Sequence, residues 1–314
     1  MYIVDTILPV RLDRYLKRLF PVLTQGVIEQ SLRIKNIKVN DLKCAANFRV
    51  NQGDIITFAP QISLLIAKTT NSIAEHKSFS NATIILAEKI IGEYLIYDHE
   101  HFIAINKPAK LATQGGSKIT LSLNDGINYL NNRHNLQLKL VHRLDCETSG
   151  VMLIAKTYYG ATKIGTALEH KIIEKKYLAI VQGVPIKNHG QISTILHKSK
   201  YGVISSDIQK NQVEGKVAIT SYNVIKNLQY HTFVEFVPHT GRMHQLRVHA
   251  KVLGHPIVGD EKYGGSTTGK SKYMLLHSAR TTIPLGVFGQ EIILEVSLPQ
   301  YFMIYLNEPL EPVS

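Results

Sequence analysis

A succession of short apolar runs, interrupted by only a few helical patterns, constrains the fold of this chain more than any other feature. From residue 98 onward, the runs predict strands at 102–106, 139–144, 151–155, 177–182, 217–225, 231–237 and 292–297. Amphipathic patterns in the same region predict helices at 121–131, 158–170 and 243–253. Residues 82–97 fit either a helix or a strand. Because strands and helices do not alternate regularly, the pattern favours an α+β fold.

The first sixty residues carry a pattern of their own. Apolar side chains recur at helical spacing from Leu12 to Leu19, interleaved with basic ones, and a second helix is predicted at 24–34 with Thr24 as its N-cap. Between 11 and 58 there are nine Lys and Arg against four Asp and Glu. Such a charge cluster is usually a solvated face, but here the basic residues gather on two short helices.

The stretch that follows predicts how the chain is divided. Residues 61–80 contain Ser, Asn, Thr and Lys without a periodic core pattern, which indicates a linker. We therefore predict a small module at 1–60, a linker at 61–80 and a large domain at 81–314. The large domain is long enough to bury a core that can hold a rigid site.

The charge balance and the cysteines narrow the class of protein. The chain has 36 Lys and Arg against 24 Asp and Glu, a net charge of +12 at pH 7. This excess favours a polyanionic partner, because phosphate contacts supply much of nucleic-acid affinity. Two cysteines, Cys44 and Cys146, are too few for a disulfide framework or a zinc site. With no early secretory pattern and no long apolar run, we expect a cytoplasmic protein without a membrane span.

A carboxylate on a tight turn is the first candidate for chemistry. Asp145 lies at the end of a predicted strand and is followed by Thr148, Ser149 and Gly150, so the turn displays its side chain. An Asp in this position can also serve only to form the turn, which is the commoner role. The adjacent Arg143 and a second basic cluster downstream favour the functional interpretation.

That second cluster runs from 240 to 249. If 243–253 is a helix, His244, Arg247 and Lys251 lie on one face of it. A basic helical face can be simply a solvated surface. If it instead faces the turn at 145, Arg247 could form a bidentate ion pair with Asp145, which would favour the ionised carboxylate and fix its direction. A nucleophile needs both.

These residues carry a family resemblance. The segment His142-Arg143-Leu144-Asp145-Cys146-Glu147-Thr148-Ser149-Gly150 resembles the HRLDxxTSG signature of the RluA-type pseudouridine synthases. Segments at 105–109, 176–179, 215–220, 240–249, 254–264 and 276–279 resemble further parts of that family in the same order, so the resemblance covers about 95–300. Residues 11–58 resemble the S4 RNA-binding domain, although the glycines usual near Asn36 and Asp41 are absent.

The resemblance implies a fold and an activity. The fold would be a mixed, mostly antiparallel sheet with flanking helices, plus a small α/β S4 module. The activity would be isomerisation of uridine to pseudouridine in structured RNA, without a cofactor. The segment Gln114-Gly115-Gly116-Ser117 is similar to a subgroup that modifies three uridines of 23S ribosomal RNA, free or in assembly intermediates. Another subgroup of the family, one directed to other ribosomal sites or to tRNA, stays open. We expect a monomer.

The resemblance also implies roles for single residues. Asp145 would be the nucleophile, Arg247 its ion-pair partner, and Tyr177 the side chain that packs on the uracil and moves a proton. Arg143 would enter the RNA helix where the target base has left, since a stacked base must be flipped out before it can react. We expect contacts with RNA from His142, Arg143, Arg242, His244, Gln245, Arg11, Arg14, Arg18, Arg33 and Lys35.

Other classes of protein are weaker interpretations. A non-catalytic RNA-binding or ribosome-assembly protein built on the S4 module does not need the set Asp145, Tyr177 and Arg247. An S4-linked methyltransferase needs a glycine-rich loop after an early strand, and the sequence has none in that context. The run 264–271 matches a phosphate-loop pattern but lacks the flanking strand and helix. Histidines 239, 244, 249, 255 and 277 lack metal-site spacing, so we expect no metal.

Overall fold

The computed structural model describes residues 1–6, 9–20, 22–73, 79–116, 119–199, 202–206, 215–264 and 272–307. Most of the phosphate-loop-like run, 265–271, lies outside the described residues. The chain divides into two compact units, Met1–Ser78 and Phe79–Ser314, and each is described by itself. No described helix is both long and apolar enough to cross a membrane.

The first unit consists of small sheets and three helices. Its elements are β1 (Tyr2–Ile3), β2 (Val10–Arg11), α1 (Leu12–Leu19), α2 (Gln25–Arg33), β3 (Ile37–Val39), β4 (Arg49–Val50), β5 (Ile55–Phe58) and α3 (Pro60–Ile73). The strands pair in the orders β1-β5-β3 and β2-β4. As predicted, Thr24 caps α2, accepting a hydrogen bond from the Val27 N–H. Its core is formed by the apolar faces of α1 and α2 packed on β3 and β5.

Left-handed backbone occurs where the S4 pattern would have glycine. Lys35 has φ 64°, Asn40 has φ 51° and Asp41 has φ 60°. Asn and Asp tolerate this conformation through local hydrogen bonds, whereas lysine has no such compensation. Left-handed residues thus lie near both positions at which the expected glycines are absent.

The expected linker is corrected over much of its length. Helix α3 occupies 60–73, and Ile62, Leu65 and Ile66 pack against the core of the first unit. The apolar side chains in this segment do recur at helical spacing, but the following Thr, Asn and Ser dilute the pattern. The segment 74–78 lies outside the described residues.

The second unit is built on one large sheet. Its elements are α4 (Asn81–Ile91), β6 (Leu95–Asp98), β7 (Phe102–Lys107), α5 (Leu123–His134), β8 (Lys139–Leu140), β9 (Ser149–Ala155), α6 (Tyr158–Glu169), β10 (Glu174–Gln182), β11 (His189–Ser199), β12 (Gly202–Ser206), β13 (Lys216–Asn227), β14 (His231–Pro238), α7 (Gln245–Val252), β15 (Leu276–Ile283), α8 (Leu285–Phe288), β16 (Ile292–Glu295) and α9 (Gln300–Leu306).

The topology confirms the expected mixed, mostly antiparallel sheet. Within the described residues, eleven strands pair in the order β12-β11-β13-β14-β10-β15-β9-β7-β6, with β16 on β15 and β8 on β9. The pair β9–β15 is parallel, and the other pairs are antiparallel. Helices α4, α5 and α7 pack on one face, whereas α6 and α8 pack on the other. This arrangement brings distant parts of the sequence together near the centre of the sheet.

Several predicted boundaries are corrected. The strand expected at 139–144 ends at Leu140, so Asp145 lies in a loop rather than at a strand end. The ambiguous segment 82–97 is a helix followed by a strand. Strands β11 and β12 were missed because Ser, Thr, His and Lys interrupt their apolar pattern. In this sheet, backbone pairing with β13 determines the conformation of β11 more than side-chain periodicity does.

Gly150 is required at the start of β9. Its φ is +110°, and an added Cβ would overlap the carbonyl oxygen of Ser278 on the parallel strand β15. We expect Gly150→Ala to lower the free energy of unfolding by about 3 kcal/mol, through backbone strain and overpacking. Urea unfolding measures this loss. Gly165→Ala in α6 is the control, because a Cβ there meets open space. Equal stability of the two variants would contradict this account.

Candidate active site

Buried polar side chains make hydrogen bonds to the backbone of the signature loop, residues 141–148. The hydroxyl of Thr113 donates to the Leu144 carbonyl (2.7 Å) and accepts from the Leu144 N–H (3.3 Å). The fully buried Lys107 donates to the carbonyls of Pro108 (2.9 Å), Leu111 (2.8 Å) and Cys146 (3.3 Å). Burial lowers the pKa of Lys107 to about 8. Three carbonyl acceptors match the three N–H groups of an ammonium, so the loop is fixed on both sides of Asp145.

Arg247 contacts two carboxylates, and the stronger pair is not the expected one. Its Nε donates to Oδ2 of Asp260 and its Nη2 to Oδ1, both at 2.7 Å. Its Nη1 reaches Oδ2 of Asp145 at 3.5 Å. The structure thus brings Arg247 and Asp145 together as predicted, but the bidentate partner is Asp260, which is only 1% exposed. This corrects the expected bidentate bridge to Asp145.

The guanidinium of Arg247 makes two contacts with different functions, one with Asp260 and one with Asp145. The pair with Asp260 fixes the plane of Arg247, since two parallel hydrogen bonds leave little rotational freedom. The remaining nitrogen then points at Asp145, whose side chain is 18% exposed. A partly exposed carboxylate beside a rigid cation is held in one direction and can still reach a substrate. Asp260 lies in a segment that resembles the family, but no sequence signal in that segment distinguishes it from an acidic residue on the surface.

His244 also faces Asp145. It lies before α7 rather than within it, as the N-cap residue in a left-handed conformation with φ 54°. Its Nδ1 lies 2.7 Å from the Tyr263 hydroxyl, and its Nε2 lies 3.9 Å from Oδ1 of Asp145. Burial lowers the pKa of His244, although the charge of Asp145 opposes that effect. The expected shared helical face with Arg247 is corrected, since the backbone turns at 244.

Tyr177 lies on β10, paired with Ser278 on β15 and with Phe236 on β14. Its residue is 8% exposed. Burial raises the pKa of Tyr177 to about 12, and the nearby charge of Asp145 adds to this effect. The phenol therefore keeps its proton at neutral pH. A protonated, largely apolar ring beside Asp145 suits packing against a base better than removal of a proton in the resting state.

The residues of the second unit expected to bind RNA differ in their surroundings. Arg143 is exposed in the signature loop, and Arg242 is half-buried with its Nε donating to the Val217 carbonyl at 3.1 Å. The His142 ring instead accepts a hydrogen bond at Nε2 from the Leu153 N–H (2.9 Å), and its Nδ1 is buried. Burial lowers the pKa of His142 well below its usual range. His142 thus anchors the loop on β9, which leaves the RNA contact predicted for it without support.

The prediction for Gln245 is corrected. This side chain is 4% exposed. Its amide oxygen accepts from the Thr240 hydroxyl (2.7 Å) and the Arg242 N–H (3.0 Å), and its amide nitrogen donates to the Ile219 carbonyl and the Thr220 hydroxyl, both at 2.9 Å. With both ends of the amide engaged, Gln245 has no group left for RNA. It holds the 240–242 turn against β13.

The first unit presents a basic surface of its own. Arg14, Arg18, Arg33 and Lys35 are exposed, as RNA contacts require. Arg11 differs, because it donates to both carboxylate oxygens of the buried Asp13 at 3.1 and 2.7 Å. This pair lowers the pKa of Asp13 and makes Arg11 part of the framework of α1.

The five histidines considered for a metal each have a hydrogen-bond partner within the protein. Their partners are Ser221 for His239, Tyr263 for His244, Thr194 and Thr220 for His249, the Gln182 carbonyl for His255, and Ser149 for His277. In the part of the chain that the structure describes, no three His, Cys, Asp or Glu side chains are grouped to hold a metal ion.

Acid should weaken the second unit through His249. Burial lowers the pKa of His249 to about 4, against about 6.5 in an unfolded chain. Between these values the unfolded state binds a proton that the folded state does not, so stability falls as the pH drops from 6.5 to 4. We expect the stability advantage of the native protein over His249→Gln to shrink between pH 7.5 and 5 in urea unfolding. Parallel losses in both proteins would show that His249 is not responsible.

Comparison with known proteins identifies this architecture. Residues 101–251 match the family model described as RNA pseudouridylate synthase. The chain is 51% identical over 294 residues to Ribosomal large subunit pseudouridine synthase C of Rickettsia bellii (strain RML369-C), covering 93% of this chain and 95% of that protein. The protein of the same name from Buchnera aphidicola subsp. Schizaphis graminum (strain Sg) is 29% identical, with 98% and 96% covered.

A solved structure agrees with these sequence relatives. Human RNA Pseudouridylate Synthase Domain Containing 4 superposes with a TM-score of 0.61 at 27% identity, over 72% of this chain and 95% of that one. The fold and these comparisons thus define an RNA-modifying isomerase. The chain belongs to the RNA pseudouridylate synthase family, and within it to the RluA type. The enzyme class predicted from the signature segment is confirmed.

Proposed function

We propose that this enzyme isomerises uridines of large-subunit ribosomal RNA, with Asp145 as the nucleophile. The observation that carries the mechanism is the partly exposed carboxylate of Asp145, 3.5 Å from an arginine that Asp260 holds rigid. The names of the relatives at 48–51% identity support the ribosomal target. The similarity at 114–117 supports 23S RNA with three target uridines.

The reaction needs an attacking group and a proton path but no electron carrier. The N1–C1′ bond breaks, the uracil turns, and a C5–C1′ bond forms. The C5 proton leaves and N1 gains one, so atoms and charge balance. The Asp145 carboxylate can attack the sugar C1′ or the uracil C6, and it leaves again when the product bond is complete. Tyr177 packs on the uracil, and its phenol, which holds its proton in the resting state, can donate that proton during the reaction. The Arg247 guanidinium keeps the carboxylate aimed.

Access to the uridine requires that it leave its stack. Unstacking costs a few kcal/mol, and an aromatic surface for the base together with a side chain that fills the gap can offset this cost. The exposed Arg143 in the signature loop is placed for the second task, two residues from Asp145. Arg242, two residues before His244 in the chain, adds a positive charge to the turn at 240–242.

The first unit serves as an S4-like module that increases affinity. We place this module at 1–60, together with helix α3 that packs on it, and the catalytic domain at 81–314, in a monomer that binds ribosomal RNA. Changing Arg14, Arg18, Arg33 and Lys35 together to Gln should weaken binding and reduce the slope of log K against log salt by about 0.7–0.9 for each phosphate that the module no longer neutralises. The rate at saturating enzyme should stay unchanged. Titrations at several salt concentrations measure this, and an unchanged slope would exclude the module from RNA binding.

Release of tritium from RNA labelled at uridine C5 tests the proposed function. Purified enzyme should release label from 23S transcripts, because the reaction removes the C5 hydrogen, and 16S and tRNA transcripts serve as comparison substrates. Full release from tRNA with none from 23S RNA would replace the ribosomal assignment by another subgroup. No release from any of these RNAs, with native protein that binds them, would contradict the proposal.

A further inference from the structure

Two hydrogen bonds lead from the edge of the sheet to His244, which faces Asp145. The Val203 N–H on the edge strand β12 donates to the Tyr263 hydroxyl at 3.1 Å. That hydroxyl lies 2.7 Å from Nδ1 of His244, whose Nε2 faces Oδ1 of Asp145 at 3.9 Å. Tyr263 is 5% exposed and packs with Val203 in a small apolar cluster. These two hydrogen bonds are therefore built into the protein and do not depend on solvent.

The hydrogen bonds of Tyr263 favour one tautomer of His244. A backbone N–H can only donate, so the Tyr263 oxygen accepts from Val203. Its own hydrogen is satisfied when it is donated to Nδ1 of His244, the acceptor within reach among the described contacts. In this arrangement Nδ1 is unprotonated. In the neutral ring the hydrogen lies on Nε2, the nitrogen that faces Asp145.

The backbone at 244 indicates that this placement has a structural cost. His244 is both the N-cap of α7 and a left-handed residue, and it makes no side-chain cap hydrogen bond. N-caps favour Ser, Thr, Asp and Asn, a preference that histidine does not meet. Non-glycine residues are uncommon in the left-handed region, although His, Asn and Asp enter it more often than the others. Strained backbone conformations persist mostly at functional sites, where they place a side chain in the position that the function needs.

We propose that His244 is a positioning residue for Asp145, directed by Tyr263, rather than an RNA contact. This inference rests on the proposed function, in which Asp145 is the nucleophile. The Arg247 guanidinium faces Oδ2 of Asp145, and Nε2 of His244 faces Oδ1 at 3.9 Å, which is longer than a hydrogen bond. The proposal requires that this contact shorten in the complex with RNA, as contacts between catalytic groups often do, so that the two donors together fix the plane of the carboxylate.

A double-mutant cycle in single-turnover experiments tests this assignment. Tyr263→Phe should slow the chemical step about tenfold, because the neutral ring of His244 then also places its hydrogen on Nδ1. His244→Phe should cause a similar loss, with RNA affinity retained. His244→Gln should restore much of that rate, since its amide N–H can replace Nε2–H. In the His244→Gln background, Tyr263→Phe should have no further effect, because an amide has no tautomer to fix.

Other roles for these residues give different results. If Tyr263 only supports β12, Tyr263→Phe costs the same in both backgrounds, and the proposal is overturned. If His244 binds RNA, His244→Phe weakens affinity and leaves the saturated rate unchanged, which also overturns it. Tyr15→Phe is the matched control, since it too removes a hydroxyl that accepts a backbone N–H, from Asp5 at 2.8 Å. A native enzyme without activity on any RNA would refute the proposed function instead.

Discussion

Asp145→Asn is expected to abolish pseudouridine formation while RNA affinity stays within about threefold of native. Asparagine has nearly the shape of aspartate, but its amide is a poor nucleophile and carries no charge. Loss of an essential nucleophile lowers the rate by on the order of 10³-fold or more. The fold should be retained, because Asp145 is partly exposed and its contact with Arg247 is long, at 3.5 Å.

Glu147→Gln provides the comparison for Asp145→Asn. Glu147 lies in the same signature loop and is half-buried. The substitution Glu147→Gln therefore removes one negative charge two residues from Asp145. Tritium release and filter binding on one RNA preparation measure rate and affinity separately. The Glu147 variant should remain active. Substantial release by the Asp145 variant, or equal losses in both, would show that charge in the loop matters rather than a nucleophile at 145.

Arg247→Met is expected to cause the largest loss of stability among these variants. It leaves the carboxylate of Asp260, which is 1% exposed, buried without its bidentate partner. Breaking one side of a buried ion pair costs about 3–5 kcal/mol, mainly from the charge left unpaired. Activity should fall as well, because Asp145 loses its aligned cation. Urea unfolding gives the first effect, and tritium release from the folded fraction gives the second.

The double variant Arg247→Met with Asp260→Leu separates the two tasks of the arginine. Replacing both members of a buried pair by apolar side chains removes the unpaired charge, so stability should recover most of the loss. Activity should not recover, because nothing then faces Oδ2 of Asp145. If the rate returned together with stability, Arg247 would have only a structural role.

Much of the architecture could be predicted because it follows from patterns among residues that are near one another in the sequence. Apolar periodicity located α6, β10, β13 and β14 to within a few residues. The position of Asp145 in a displayed turn could be predicted from the small and polar residues that follow it. The basic cluster at 240–249 suggested Arg247 as the partner of Asp145, with a solvated face as the alternative, and the family resemblance supported the pair.

The rest depended on contacts between distant residues. Asp260 looks like a surface acid in the sequence, and only the fold places it under Arg247. The sequence likewise does not show how Gln245 and His142 are used. Both are polar residue types that often contact RNA, but here their side chains make hydrogen bonds within the protein. Polar residues near an active site bind either substrate or the backbone that shapes the site, and composition does not distinguish these fates.

The most direct test of the account is a map of pseudouridines in large-subunit ribosomal RNA from cells that lack this gene. Carbodiimide treatment followed by reverse transcription locates each pseudouridine. We predict that specific sites disappear in the deletion strain, return when the native gene is supplied, and stay absent when the Asp145→Asn gene is supplied at equal protein level. An unchanged map in the deletion strain, or restoration by the asparagine variant, would contradict the claim that the Asp145 carboxylate modifies this RNA.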